Sequence, residues 1–239
     1  MITVKQAVRV PEGDGVTVKR VMPLAGMRNF DPFVLWDDFD ITGGGFPAHP
    51  HRGFEAITYL FAGGMRHADN LGNSGTIHAG GAQCFTAGSG IVHSEFPEGR
   101  AHGIQLWINL PRQLKGIPPA YQQVEAEEIP ETHDAGVTIR TIAGEGGAIS
   151  LHTGVDYLEI RIGAGQRFER TIAESFRGFI YMVEGEALLN DDVALHSGDA
   201  AFIEDMRLAT MAATTDCRLM WCFGSPHHQP IMQHGPFVD

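Results

Sequence analysis

The chain has 239 residues, 43% of them hydrophobic, and a formal charge of −12 from 29 acidic and 17 basic side chains. That length suits one large domain or two of about 100–120 residues, with enough interior for either. The acidic balance, with no basic cluster beyond Val18-Lys19-Arg20, excludes a face built to displace counterions from phosphates, so neither direct nucleic-acid contact nor an anionic membrane partner is expected.

Residues 1–10 alternate charged and apolar side chains and hold no apolar core of a leader peptide, so no secretory signal is expected. No run of 18 apolar residues exists to span a bilayer as a helix. Cys84, Cys217 and Cys222 are odd in number and lack CxxC spacing, which suits buried free thiols in a reducing cytoplasm. Runs rich in Val, Ile, Thr, Tyr and Phe follow at 16–21, 57–61, 103–110, 137–142, 157–162, 178–183 and 218–223, with Gly and Pro spread between them. Short strands punctuated by turn residues predict an all-β fold, a sandwich or barrel, with at most short helical pieces in the loops.

A weak repeat divides the chain. ITYLFAGG at 57–64 followed by HAGGAQ at 78–83 is echoed by FIYMVEGE at 179–186 followed by HSGDAA at 196–201. Each copy is a strand ending in a glycine turn, a hairpin, and a second glycine turn before another strand. Two copies of one β-unit predict two barrels, over 1–124 and 133–239, joined through the acidic, apolar-poor stretch 125–132.

The chain has 12 histidines. His133, His152, His196, His227, His228 and His234 are scattered and read singly as surface or satisfied core residues. His49-Pro50-His51 is different, because residues i and i+2 of a strand point to one face. His93-Ser94-Glu95 repeats that spacing. Two such pairs on neighbouring strands would give three imidazoles and one carboxylate, which suits a divalent transition metal (Fe, Cu, Ni, Co, Mn or Zn) and leaves coordination positions open. Gly43-x5-His49-x-His51-x3-Glu55 also fits the first cupin motif, and Gly90-x2-His93 fits the end of the second. A general cupin takes its carboxylate from Glu55. That residue lies on His51's face but roughly 13 Å along at about 3.3 Å per residue, so only a bulge could return it. Glu95 shares His93's face and is the favoured ligand; Glu55 is then a supporting acid.

Five segments carry a family resemblance: FDPFVLWDDF at 30–39, GFPAHPHRGFE at 45–55, TAGSGIVHSE at 86–95, HGIQLWINLP at 102–111 and QHGPFV at 233–238. On these the chain resembles the pirins, along essentially its whole length. The resemblance implies a bicupin, two stacked β-barrels or jelly rolls in one chain with a single metal ion in the first. It places the ligands on His49, His51, His93 and Glu95 and makes Fe(II) the first-choice ion. Aligning the repeats puts Thr171, Ala173, Met211 and Ala213 opposite these four, so the second barrel is expected to lack metal ligands. Pirins resemble quercetinases, which implies a quercetin 2,3-dioxygenase activity on a flavonol and O₂. There Glu95 serves as general base and the metal as Lewis acid. Some pirins resemble regulators instead, which implies a redox-sensing metal and a protein partner. Longer pirins continue past 233–238 with a helical segment that this sequence does not carry, so no partner contact resting on it is expected. Phe46 and Phe54 are candidate pocket residues or barrel packing, Arg52 is expected in a salt bridge, and His102 and Gln105 are expected to support the sheet or the site. A chain already holding two barrels is expected to be a monomer.

Overall fold

The computed structural model describes residues 1–239 and is built almost wholly of strands. The only helical pieces are the 3₁₀ turns Arg112–Leu114 and Ala126–Glu128. No helix is long and apolar enough to cross a membrane. The chain divides into two compact β units, with a boundary in the sequence between Ile129 and Pro130, inside the acidic stretch 125–132.

The units are not the two contiguous blocks 1–124 and 133–239. One comprises 8–129 with 227–239; the other comprises 1–7 with 130–226. Backbone pairing is the reason. Strand Ile2–Gln6 adds to the edge strand Asp199–Ile203, with Ile2 opposite Ile203. At the other end, the Val238 N–H donates to the Arg52 carbonyl and Val238 is fully buried beside Phe54 and Trp107. Edge strands leave rows of unmet N–H and C=O groups. Each unit therefore recruits a terminal segment whose distance in sequence hides it from any local pattern.

In the unit holding 130–226, a seven-stranded antiparallel sheet runs Ile2–Gln6, Asp199–Ile203, Arg177–Glu184, Cys217–Gly224, Val155–Ile162, Val137–Ala143, Glu131–Asp134. A four-stranded sheet packs on it through Phe168, Leu189 and Met211 against Ile160, Ile180 and Trp221. This interior is apolar throughout, and each large side chain buried there contributes on the order of 1.5–3 kcal/mol. The register pairs Met211 with Phe168, so Phe168 stands across from Met211 where the repeat alignment had put Thr171. Thr171 and Ala173 are exposed.

In the other unit the sheet order is Ala120–Val124, Ala82–Thr86, Phe54–Asp69, Ile91–Asn109, Phe33–Ile41, Val16–Met22, Val8–Glu12. Two long strands organise it. Phe54–Asp69 and Ile91–Asn109 pair along most of their length, with register shifts between Leu60 and Ala62 and between Gly63 and Met65. Such bulges bend and twist a strand, so the 64–69 arm continues in a new direction. Gly63 makes this possible: its φ is +74°, and a Cβ there would lie 1.8 Å from the Arg100 carbonyl oxygen. Gly185 repeats the device in the second unit, with φ +81° and the Asp216 carbonyl oxygen 2.3 Å from the same point. The short strand Phe46–His51 then pairs with the 91–95 end of Ile91–Asn109.

Candidate metal centre

Strand register brings the site together. His49 lies directly opposite His93, and Asp69 lies opposite His93 on its other side. In the adjoining row Glu95 pairs with Phe46 and with His67. Residues opposite one another in antiparallel strands share a face. The i, i+2 pairs His49/His51 and His93/Glu95 therefore turn toward one place. Donor atoms of His49, His51 and His93 lie within 4.8 Å of one another, as do those of His67, His93 and Glu95.

Two of the imidazoles have a fixed tautomer. His49 Nδ1–H donates to the Pro47 carbonyl at 2.7 Å, and His51 Nδ1–H donates to the Pro236 carbonyl at 3.2 Å. A carbonyl only accepts, so the neutral form of each ring presents its lone pair at Nε2. Burial, and then the neighbouring His49, pushes His51 down to about 3. Burial also pushes His93 well below the ordinary histidine range, with His51, His49 and His67 adding to it. Neutral rings with free Nε2 lone pairs are what a metal needs. His93 Nε2 lies 3.1 Å from His49 Nε2. Bonds of about 2.0–2.1 Å at a right angle put two ligand nitrogens about 3 Å apart, so this donor set fits a transition-metal ion.

Glu95 is buried, and its Oε1 accepts from Thr58 Oγ1 at 3.1 Å and from Gln83 Nε2. Burial raises its carboxyl, while His67, His49 and these two bonds pull the other way. Tyr121 Oη in turn donates to Gln83 Oε1 at 3.2 Å. Glu55 is fully buried on the opposite face, where Thr86 Oγ1 donates to it at 2.9 Å. Phe54 and Thr58 face the cluster, so strand alternation sends Glu55 away from it. The cupin-typical carboxylate is thus not with the three imidazoles.

Aromatic rings hold the histidines in place. His51 stacks on Phe85 at 5.4 Å and meets Trp107 edge-on at 4.8 Å. Phe54 stacks on Trp107 at 4.1 Å and is fully buried, so it is packing, whereas Phe46 lines the open cavity. That cavity measures about 450 Å³. His49, His51 and Glu95 line it, with Leu35, Phe39 and Trp107 as apolar wall. Its remaining wall carries Arg20, whose Nε and Nη2 donate to Asp37 Oδ1 and Oδ2 at 2.8 and 2.6 Å. Gln105 also lines it, with its side-chain amide against the Thr58 hydroxyl, while His102 reaches Asp38 at 3.5 Å. Arg52 pairs with Asp239, its Nη2 at 2.7 Å from Oδ1.

His67, Asp69, Thr58, Gln83 and Tyr121 are the members that sequence reasoning missed. One signal was available: His67-Ala68-Asp69 is a third i, i+2 pair of ligand-type residues. His67 Nδ1 lies 3.4 Å from His93 Nδ1, and His67 Nε2 lies 3.1 Å from Asp69 Oδ2. Although burial pushes the Asp69 carboxyl up, bonds from Asn73, His67 and Leu71 outweigh it and hold the group below the usual range.

Two β-barrel units of cupin type in one chain, one of them lined by a His₃Glu cluster, make this protein a bicupin. Its sequence matches the Pirin family over residues 15–108 and the pirin C-terminal cupin domain over residues 157–239. The chain belongs to the pirin family. It is 39% identical to a pirin-like protein of Caulobacter vibrioides, over 95% of this chain and 87% of that one. The structure of a quercetin 2,3-dioxygenase from Acinetobacter baumannii superposes with a TM-score of 0.91 at 30% identity, covering 99% of this chain and 90% of the other. A bacterial pirin from Escherichia coli, solved in complex with nickel(II), superposes with a TM-score of 0.79 at 25% identity, covering 95% and 99%.

Proposed function

We propose that this protein holds one divalent transition-metal ion on His49, His51, His93 and Glu95 and acts there as a dioxygenase of the quercetin 2,3-dioxygenase type. The observation that carries the reading is the convergence of three imidazoles beside a buried carboxylate at the wall of a cavity of about 450 Å³. A cavity of that size takes one small molecule and no more. The likeness to the Acinetobacter enzyme supports the substrate class.

Leu35, Phe39, Phe46 and Trp107 offer apolar and aromatic surface to a flat flavonol. Glu95, raised by burial, is suited to accept the flavonol's 3-hydroxyl proton as general base. Thr58 and Gln83 hold its Oε1 so that the carboxylate does not swing out of reach. The bound ion would supply Lewis-acid stabilisation of the oxygen so ionised. The ring then takes up both atoms of O₂ and releases carbon monoxide. The Arg20–Asp37 pair meets the substrate's polar periphery on the remaining wall.

The test is turnover by protein reconstituted with Fe, Cu, Ni, Co or Mn. At least one form should consume O₂ and bleach the flavonol absorption band, and His49→Ala should lose both. A wild-type protein that binds metal yet turns over no flavonol with any of the five would overturn the enzyme reading and favour a redox-sensing regulator.

A further inference from the structure

The buried pair His67–Asp69 lies behind His93, away from the cavity, and the mechanism above does not use it. Both side chains are completely enclosed. Asp69 is surrounded by donors: the backbone N–H groups of Leu71 and Asn73 reach Oδ1 at 2.9 and 3.0 Å, and Asn73 Nδ2 reaches Oδ2 at 2.9 Å. A carboxylate so placed accepts only, so the contact with His67 at 3.1 Å is a bond from His67 Nε2–H. A neutral imidazole carries one N–H, which leaves a lone pair on His67 Nδ1. That lone pair faces His93 Nδ1 at 3.4 Å, and the contact is a hydrogen bond only if His93 carries its proton at Nδ1. His93 Nε2 then has a lone pair, on the side where His49 Nε2 stands 3.1 Å away.

We infer that Asp69 and His67 form a positioning relay that fixes the tautomer and orientation of His93 and so makes its Nε2 a metal ligand. His49 and His51 receive the same service from single backbone carbonyls, those of Pro47 and Pro236. His93 is embedded in the middle strand of three, and its relay ends in a carboxylate. Partners of this kind raise ligand basicity, and their loss typically costs about 10–100-fold in metal affinity. Tyr121 stacks on the His67 ring at 4.4 Å and an interplanar angle of 17°, which keeps the relay flat against its neighbour.

The inference rests on the metal reading of His49, His51, His93 and Glu95, and the experiment separates the two. Nickel(II) affinity is measured by titration of metal-free protein, and the His93 tautomer by long-range ¹H–¹⁵N correlation in the same metal-free samples. Wild type should bind nickel(II) and show His93 protonated at Nδ1. Asp69→Asn presents an amide N–H to His67 Nε2 and so moves the His67 proton to Nδ1. His93 should then shift its proton to Nε2, and nickel(II) should bind about 10–100-fold more weakly. His67→Phe keeps the stack on Tyr121 and should lower affinity similarly, with the proton moving toward His49. A merely structural role would leave the tautomer unmoved. Wild type that binds nickel(II) with His93 protonated at Nε2 would overturn the relay while sparing the metal site. So would variants that keep both affinity and tautomer, or X-ray absorption showing one imidazole fewer on nickel in His67→Phe. Wild type that binds no metal would overturn both readings.

Discussion

At the scale of single residues, the site depends on imidazoles that stay neutral. His51 is enclosed by Phe54, Phe85 and Trp107, and this apolar cage is what depresses its pKa to about 3. In the unfolded chain the same ring titrates near 6.5. Below that value the unfolded state binds a proton that the folded state refuses, so the stability this residue contributes is present above about 6.5 and is lost as pH falls toward 3. The urea midpoint of the metal-free protein should therefore decline between pH 7 and pH 4. His51→Phe, which suits the cage, should flatten that decline at the expense of metal binding. An unchanged slope in the variant would show that other groups govern acid stability. The spacing of the two pairs His49/His51 and His93/Glu95 was legible in the sequence because a strand's two-residue period is local. The placing of Glu55 away from the three imidazoles follows from the same alternation once Phe54 and Thr58 are seen to face the cluster. Thr58, Gln83 and Tyr121 were not legible, since nothing in their neighbourhood marks them until register sets them against Glu95.

At the scale of elements, the bend in Phe54–Asp69 matters most. A straight sixteen-residue strand would extend about 50 Å, and its far end could not lie over the site its near end supports. The register shifts around Gly63 turn the 64–69 arm so that His67 and Asp69 reach Glu95 and His93. Gly63→Ala adds a Cβ into the Arg100 carbonyl and forces a side chain into positive φ, so it should destabilise by about 2–4 kcal/mol. Gly72→Ala is the control, having φ +91° but nothing within 4 Å of its Cβ, and should cost about 1 kcal/mol. Urea unfolding measures both. Equal losses would mean that the Arg100 contact is not what fixes the bend. The glycine turns were visible in the sequence as a repeat, and so was the spacing of the third pair, His67-Ala68-Asp69, but its place beside the other two pairs was not, because it lies past this bend. Its relevance is a matter of which strand it meets.

At the scale of the whole molecule, both units draw a terminal segment from the opposite end of the chain. Removing residues 1–7 strips the partner from Asp199–Ile203. Hydrogen exchange should then accelerate in 199–203 and 177–184 while 49–51 and 91–95 keep their protection and nickel(II) affinity holds. Acceleration of equal size at the site would show that the terminal strand supports the whole molecule. The all-β class and the two barrels were readable from strand and turn spacing. The true bounds of the units were not, because Ile2–Gln6 and Val238 are defined by backbone groups they complete some 200 residues away.

The Pro236 carbonyl that turns His51 has a consequence for the order of synthesis. Residues 227–238 leave the ribosome only after every strand of the second barrel has been made. The barrel that starts to fold first is therefore the last to be completed. Until codon 236 has been translated, the nascent chain can present His49 with its local Pro47 bond, but not a His51 ring held in its final tautomer. Under the proposed metal reading, capture of an ion is thereby deferred until the strands of the second barrel have been made, and the nascent first barrel is a poorer trap for whichever metal it meets first.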